Sequence, residues 1–202
     1  DALCRNRESV SRNLSCMVPA EALNFWLALG MLAIQVTGGA LLIIFIFQKK
    51  TSVYEGLSSF LQKWGLLLGL ALTFSGTLIT LYYSEGLGFP PCPLCWWQRI
   101  FLYPQVILFA LALWKRLPGQ GGRDIADYSI ALSVVGLGFA LYHHALQVLP
   151  SGSLPCPAEG VVSCAQRFVF EFGYITLPLM AATLFAALII LMLFVRPVRE
   201  PR

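Results

Sequence analysis

Charge is what this chain has least of. Asp, Glu, Lys and Arg make up 12% of its 202 residues, against 57% hydrophobic residues and a mean hydropathy of +0.72. A soluble domain carries about 25% charged and roughly 45–50% apolar residues. Too little polar chain remains to cover so much apolar surface in water, which argues against a soluble globule of buried helices. Internal repeats and low-complexity tracts are also missing, and no Cys-x-x-Cys is followed by the histidine that haem attachment needs. The net charge of +4 calls for no nucleic-acid partner, because most of the basic residues flank apolar runs, where membrane topology requires them.

Five such runs are present: Leu23 to Phe47, Trp64 to Tyr83, Trp96 to Trp114, Tyr128 to Leu149 and Gly173 to Val195. Each is close to the roughly 20 residues that a spanning helix needs, and Arg99 is the sole Asp, Glu, Lys or Arg in any of them. The expected fold is therefore all-α, a polytopic bundle of membrane helices. Trp26, Trp64, Tyr82, Tyr83, Trp96, Trp97, Trp114, Tyr128 and Tyr174 fall near the span ends, where amphipathic rings anchor at the interface. Lys49, Lys50, Lys63, Lys115, Arg116, Arg123, Arg196, Arg199 and Arg202 follow the first, third and fifth spans, which predicts an outer N-terminus and an inner C-terminus. Arg5, Arg7 and Arg12 run against that bias. The first run is too long for a signal-peptide core and lacks a cleavage site, so it is expected to stay as a helix; the chain opens on Asp1, which implies upstream processing or excision. Pro118, Gly119, Gly121 and Gly122 read as an inner turn.

On this topology all six cysteines lie outside, where disulfides persist. Cys92-Pro93-Leu94-Cys95 is the pair with the strongest chemical signal. Cys95 sits at the start of the third span, near unpaired backbone N–H groups, and Arg99 shares its helical face; both favour a thiolate. The alternatives are a plain disulfide staple or half of a zinc site, and a neighbouring cation argues against the zinc. Trp96 and Trp97 are either membrane anchors or flank a planar redox ligand. His143, His144 and Gln147 cluster near the outer end of the fourth span, with Gln147 one turn after His143; they are interfacial polar residues or hydrogen-bond donors to a ligand carbonyl. Cys4 and Cys16, with 11 residues between them, read as a structural disulfide clipping the N-terminal segment, with a third redox station as the alternative.

Cys92-Pro93-Leu94-Cys95 followed by Arg99, then His143 and Gln147 before a Pro-containing loop, then Cys164-Ala165-Gln166-Arg167 before the last span, together resemble the DsbB family of bacterial disulfide bond formation proteins. The order differs from the similar vitamin K epoxide reductases, where loop cysteines precede the Cys-x-x-Cys. The short interval between Cys156 and Cys164 looks like the Gram-positive-type members. The resemblance implies a four-helix redox domain over 64–196; the additional spanning helix at 23–47 and the Cys4 and Cys16 segment lie outside the usual four-helix pattern, and the resemblance says nothing about them. Segments 1–22, 48–63 and 197–202 would then be an extracytoplasmic arm, a cytoplasmic linker and a tail. It further implies a thiol:quinone oxidoreductase of the bacterial cytoplasmic membrane. Cys156 and Cys164 would receive electrons from a thioredoxin-like, DsbA-type oxidase and pass them to Cys92 and Cys95. A membrane quinone, ubiquinone or menaquinone, would accept them beside Arg99, Trp96, His143 and Gln147. Pro155 and Pro157 bracket Cys156 and keep it extended for a partner, while Arg167 is expected at a lipid headgroup or ordering the loop. Two rival classes remain: a soft-metal-binding or transport bundle using Cys92, Cys95, Cys156 and Cys164, and a scaffold with inert disulfides.

Overall fold

A computed structural model describes residues 11–47, 52–115, 120–149, 155–156 and 163–196. Its helices are α1 (Ser11–Phe47), α2 (Ser52–Leu81) with a terminal π-turn (Tyr82–Gly86), α3 (Pro93–Trp114), α4 (Gln120–Val148) and α5 (Leu177–Val195). Five helices among the described residues are long and apolar enough to cross a membrane. The chain is therefore a multi-pass helical membrane protein, as its composition requires.

Burial ranks the helices. In α5, 61% of the spanning window is buried, against 28% in α3 and α4 and 17% in α2, so α5 is the axis on which α1, α2 and α4 pack. Its fully buried Phe185, Leu188, Met192 and Phe194 carry the main core. α3 closes the bundle between α2 and α4. Between lipid-solvated helices, association rests on close packing and on polar contacts rather than on the hydrophobic effect. Gly65, Gly69, Thr73 and Gly76 supply the first along one face of α2. A Cβ on Gly69 would come 2.9 Å from the Phe109 ring, and one on Gly76 would come 2.6 Å from Leu184. Gln105 supplies the second: fully buried on α3, it accepts from Ser129 Oγ at 2.7 Å and donates to Ser133 Oγ at 3.2 Å, both on α4. The same amide donates to Phe101 O at 2.9 Å, beside the backbone bond that Pro104 removes.

The helices outrun the apolar spans. α1 reaches back to Ser11, so the N-terminal arm is helical over its second half. α2 starts about three turns before Trp64, because Ser59 and Gln62 bond back along the helix while Tyr54 and Leu61 bury an apolar face; the residues read as a linker at 48–63 are helical from Ser52. α4 starts at Gln120, which puts Gly121 and Gly122 in a helix rather than a turn; Pro118 and Gly119 lie outside the described residues. Conversely α5 begins at Leu177, not Gly173. Phe172 and Gly173 take positive φ (51 and 78), the Glu171–Ile175 bridge closes a tight turn, and Thr176 caps the helix with Pro178 just inside it. The aromatic residues at span ends are exposed except Tyr83, which is buried: the π-turn rotates it inward. Cys4 and the side chain of Cys16 lie outside the described residues, as do Lys49, Lys50, Arg116, Arg199 and Arg202.

Candidate functional site

The chemistry gathers where α2 passes to α3 and α4 to α5. Cys92 caps α3 with an extended backbone, its Sγ accepts from the Cys95 N–H at 3.4 Å, and Pro93 takes the first helical position, where a missing N–H leaves no bond unmade. That start places Cys95 one turn in. The two free thiols have their Sγ atoms 2.9 Å apart, a vicinal dithiol that needs only a small rotation to close a bond.

His143 organises the pair. It is buried on α4, with Nδ1 3.0 Å from Gln98 Nε2. With the Gln98 amide donating, the ring proton sits on Nε2. Nε2 in turn lies 3.2 Å from the Cys164 carbonyl O and 3.6 Å from Cys92 Sγ. The Cys92 thiol is therefore held well below its ordinary range, first by the Cys95 S–H directed at it and next by His143, against the opposing effect of burial. Sequence position alone favoured a thiolate at Cys95; in the dithiol, the donors converge on Cys92 instead.

Cys156 and Cys164 form a disulfide, Cα to Cα 6.0 Å. Its two ends differ. Cys156 is exposed, whereas Cys164 is buried in one cluster with Cys92 and Leu146. Side chains from α4 hold the loop down: Tyr142 OH donates to Pro155 O at 2.6 Å and Gln147 Nε2 to Gln166 O at 2.9 Å. Arg167 orders the loop as well, donating to Gln147 O at 2.6 Å and lying over the Phe170 ring. Phe168 stacks on Phe89 at 4.8 Å, tying this loop to the one before α3.

On its other side the dithiol borders a cavity of about 120 Å3, roughly ten times the space one water needs. Cys95, Gln98, Arg99 and His143 line it among otherwise mostly apolar walls that include Tyr83, Phe89, Leu102 and Phe185. Arg99 is buried and donates from one terminal nitrogen to Thr80 O at 2.7 Å, which leaves other guanidinium donors unused. Two expected ligand contacts are not there. Gln147 spends its amide N–H on the loop and does not line the cavity. Trp96 does not line the cavity either; it is exposed, its ring 5.2 Å from the Arg99 guanidinium. His144 also points elsewhere, to Thr176 Oγ1 at 2.9 Å. Gln98 and Tyr83 are the residues that sequence reasoning missed; Gln98 could have been found as the polar residue one turn after Leu94 on the face of α3 that must be buried.

A cation has fewer prospects here than the four cysteines suggest. Cys156 and Cys164 are bonded to each other, so a four-cysteine centre is not formed. Cys92, Cys95 and His143 present three ligand atoms within 4.8 Å of one another, enough to hold a soft ion when the pair is reduced.

Fold and site together define a class: a membrane-embedded thiol–disulfide oxidoreductase, with a dithiol of one buried and one half-buried cysteine beside a surface-reaching disulfide. The family model described as disulfide bond formation protein DsbB matches residues 62–195, and the chain belongs to that family. Its relatives include a probable disulfide formation protein C of Bacillus cereus, 38% identical over 120 residues, which are 59% of this chain and 83% of that one. The SPbeta prophage-derived disulfide bond formation protein B of Bacillus subtilis is 43% identical over 120 residues, 59% of this chain and 77% of its own length. A probable disulfide formation protein C of Halalkalibacterium halodurans is 37% identical over 131 residues, 64% and 92% of the two chains. No solved structure matches. The family supports a role in disulfide bond formation.

Proposed function

We propose that this protein oxidises a thioredoxin-like protein dithiol at the outer face of the bacterial cytoplasmic membrane and delivers the electrons to a membrane quinone. The observation that carries the reading is the position of His143 Nε2 between Cys92 Sγ and the Cys164 carbonyl, with Cys95 facing an apolar cavity on the far side. The donor set fits an amphipathic planar dione: apolar walls for the ring and its tail, and Gln98 and Arg99 as hydrogen-bond donors for carbonyl oxygens. When bound, the quinone supplies the electron acceptor, taking two electrons and two protons to become the quinol.

The chain's own residues do the rest. Exposed Cys156 is the sulfur that a partner thiolate attacks; its bond to Cys164 breaks, a mixed disulfide forms, and the second partner thiol resolves it, leaving Cys156 and Cys164 reduced. Buried Cys164 is the sulfur nearest the inner pair. As a thiolate it attacks Cys92 of the oxidised Cys92–Cys95 pair, the S–S bond there breaks, and Cys156 then closes on Cys164 to release a Cys92–Cys95 dithiol. Re-forming the Cys92–Cys95 bond gives up two electrons and two protons at the cavity. Gln98 fixes the His143 ring, and His143 and the helix N-terminus steady the Cys92 thiolate. Arg99 offers a planar cation where negative charge develops.

The test is quinone reduction by purified protein supplied with a reduced thioredoxin-like partner. Cys95→Ser is expected to abolish quinone turnover. Cys156→Ser is expected to abolish turnover with the protein partner while a small dithiol still drives quinone reduction. A Cys95→Ser protein with wild-type quinone turnover refutes the assignment.

A further inference from the structure

The family match starts at residue 62, so α1 lies wholly outside it. The cavity does not stop there. Leu27 and Met31 of α1 line the same space as Cys95 and Arg99. On a helix, Asn24, Leu27, Ala28, Met31 and Gln35 fall at spacings of three and four and share one face. Ala28, at the centre of that face, is fully buried, although α1 is otherwise the most exposed of the five helices.

Polar contacts fix this face to the bundle at two depths. Tyr83 OH donates to Asn24 Oδ1, and the Tyr83 ring is itself a cavity wall. Gln35 Nε2 donates to Thr183 Oγ1 on α5 at 2.9 Å, and Tyr174 OH donates to Gln35 Oε1 at 3.1 Å. Hydrocarbon offers these side chains no other partner, so the bonds set both the height and the rotation of α1. Ala181, another wall residue, is on α5, the helix against which α1 packs.

We propose that α1 is a working wall of the quinone chamber: Leu27 and Met31 contact the bound isoprenoid quinone, and the Asn24–Tyr83 bond holds the wall closed against lipid. The proposal rests on the quinone reading above. α1 then acts as a specificity and retention element that positions the ligand without touching the sulfur chemistry.

The experiment uses the full chain in detergent and a photoreactive azidoquinone as probe. After illumination of wild-type protein, the label is expected on the peptide carrying Leu27 and Met31, and excess unlabelled quinone should suppress it. Met31→Trp, which fills the cavity, is expected to weaken equilibrium quinone binding at least tenfold. Reduction of its Cys156–Cys164 disulfide by a partner dithiol should keep its wild-type rate, a check that the variant is folded. Val36→Trp, on the 72% exposed side of α1, is expected to bind quinone as the wild type does. If wild-type protein binds quinone but α1 carries no competable label, the role of α1 is overturned and the quinone reading stands. Wild-type binding with an unchanged Met31→Trp affinity has the same meaning. If wild-type protein binds no quinone, both fall.

Discussion

The hydrogen-bonding of His143 can be tested as a number. Its Nε2–H is shared between the Cys164 carbonyl at 3.2 Å and Cys92 Sγ at 3.6 Å. A hydrogen bond to a charged group contributes about 1.5–3 kcal/mol, and sharing leaves roughly half, about 1.1 kcal/mol, at the sulfur. At about 1.36 kcal/mol per unit, losing that donor raises the Cys92 thiol by about one pKa unit. His143→Asn, whose shorter amide reaches the Nδ1 position and not the Nε2 position, is expected to show this rise. His143→Gln, which returns an N–H near Nε2, is expected to show most of it rescued. The assay is the rate of iodoacetamide alkylation against pH on anaerobically reduced protein, with Cys4, Cys16, Cys156 and Cys164 all replaced by Ser so that only the inner pair reacts. The sign follows from a thiol lowered from 9.0 on folding. Cys92 stays a thiolate through neutral pH, and its reactivity falls only as the pH drops through the lowered value. The same lowering contributes stability to the reduced form that is present above the ordinary thiol range and lost as pH falls through the folded value. An Asn variant whose profile superimposes on the wild type would refute the role given to Nε2.

Three further outcomes are expected. Arg99→Ala should weaken quinone binding about tenfold, about 1.4 kcal/mol, with Lys restoring only part because it lacks the planar fork of donors; unchanged affinity in a binding titration would remove Arg99 from the site. Gly136→Ala puts a Cβ 2.5 Å from the buried Phe185 ring, an overpacking that costs about 1–3 kcal/mol, so its unfolding midpoint in a detergent denaturation series should fall while Gly138→Ala, with open space around it, stays near wild type. Replacing Cys4 and Cys16 together by Ser should leave partner-dependent quinone reduction near normal if the pair is a clip; a loss as large as that of Cys156→Ser would make it part of the electron path.

How much of this was legible in the sequence depends on which force set each feature. The five spans could be read because lipid imposes one rule on every residue in them, and the all-α bundle follows from that rule. Helix ends could not, because they are set by local contacts: Tyr54 and Leu61 extend α2 beyond its apolar core, while Phe172 and Gly173 delay α5. The proximity of Cys92, Cys95 and Arg99 was legible because they are close along one helix, so sequence spacing is nearly spatial spacing. Gln147 shows the limit of the same argument. Helical periodicity rightly put it on the face of His143, but a face does not say which neighbour occupies it, and here the Cys164 loop does. That the donors converge on Cys92 was hidden for a similar reason: Arg99 is near Cys95 in sequence, whereas His143, far away in sequence, is what approaches Cys92.

The polar residues of the spans carry more information than the apolar ones. An apolar residue in lipid is equally content facing a neighbouring helix or a hydrocarbon chain, so Leu, Ile and Val say little about who packs against whom. A Gln, Ser or His has no such freedom. Gln105 finds Ser129 and Ser133 and thereby joins α3 to α4; Gln35 finds Thr183 and joins α1 to α5; Gln98 finds His143 and joins α3 to α4 again, now at the dithiol. Arg99 keeps donors after its bond to Thr80, and it opens on the cavity. In a chain with so little charge, a polar group bonded to one on another helix marks the seam between them, and a buried cation with donors left over beside an apolar cavity is where the proposed ligand is placed.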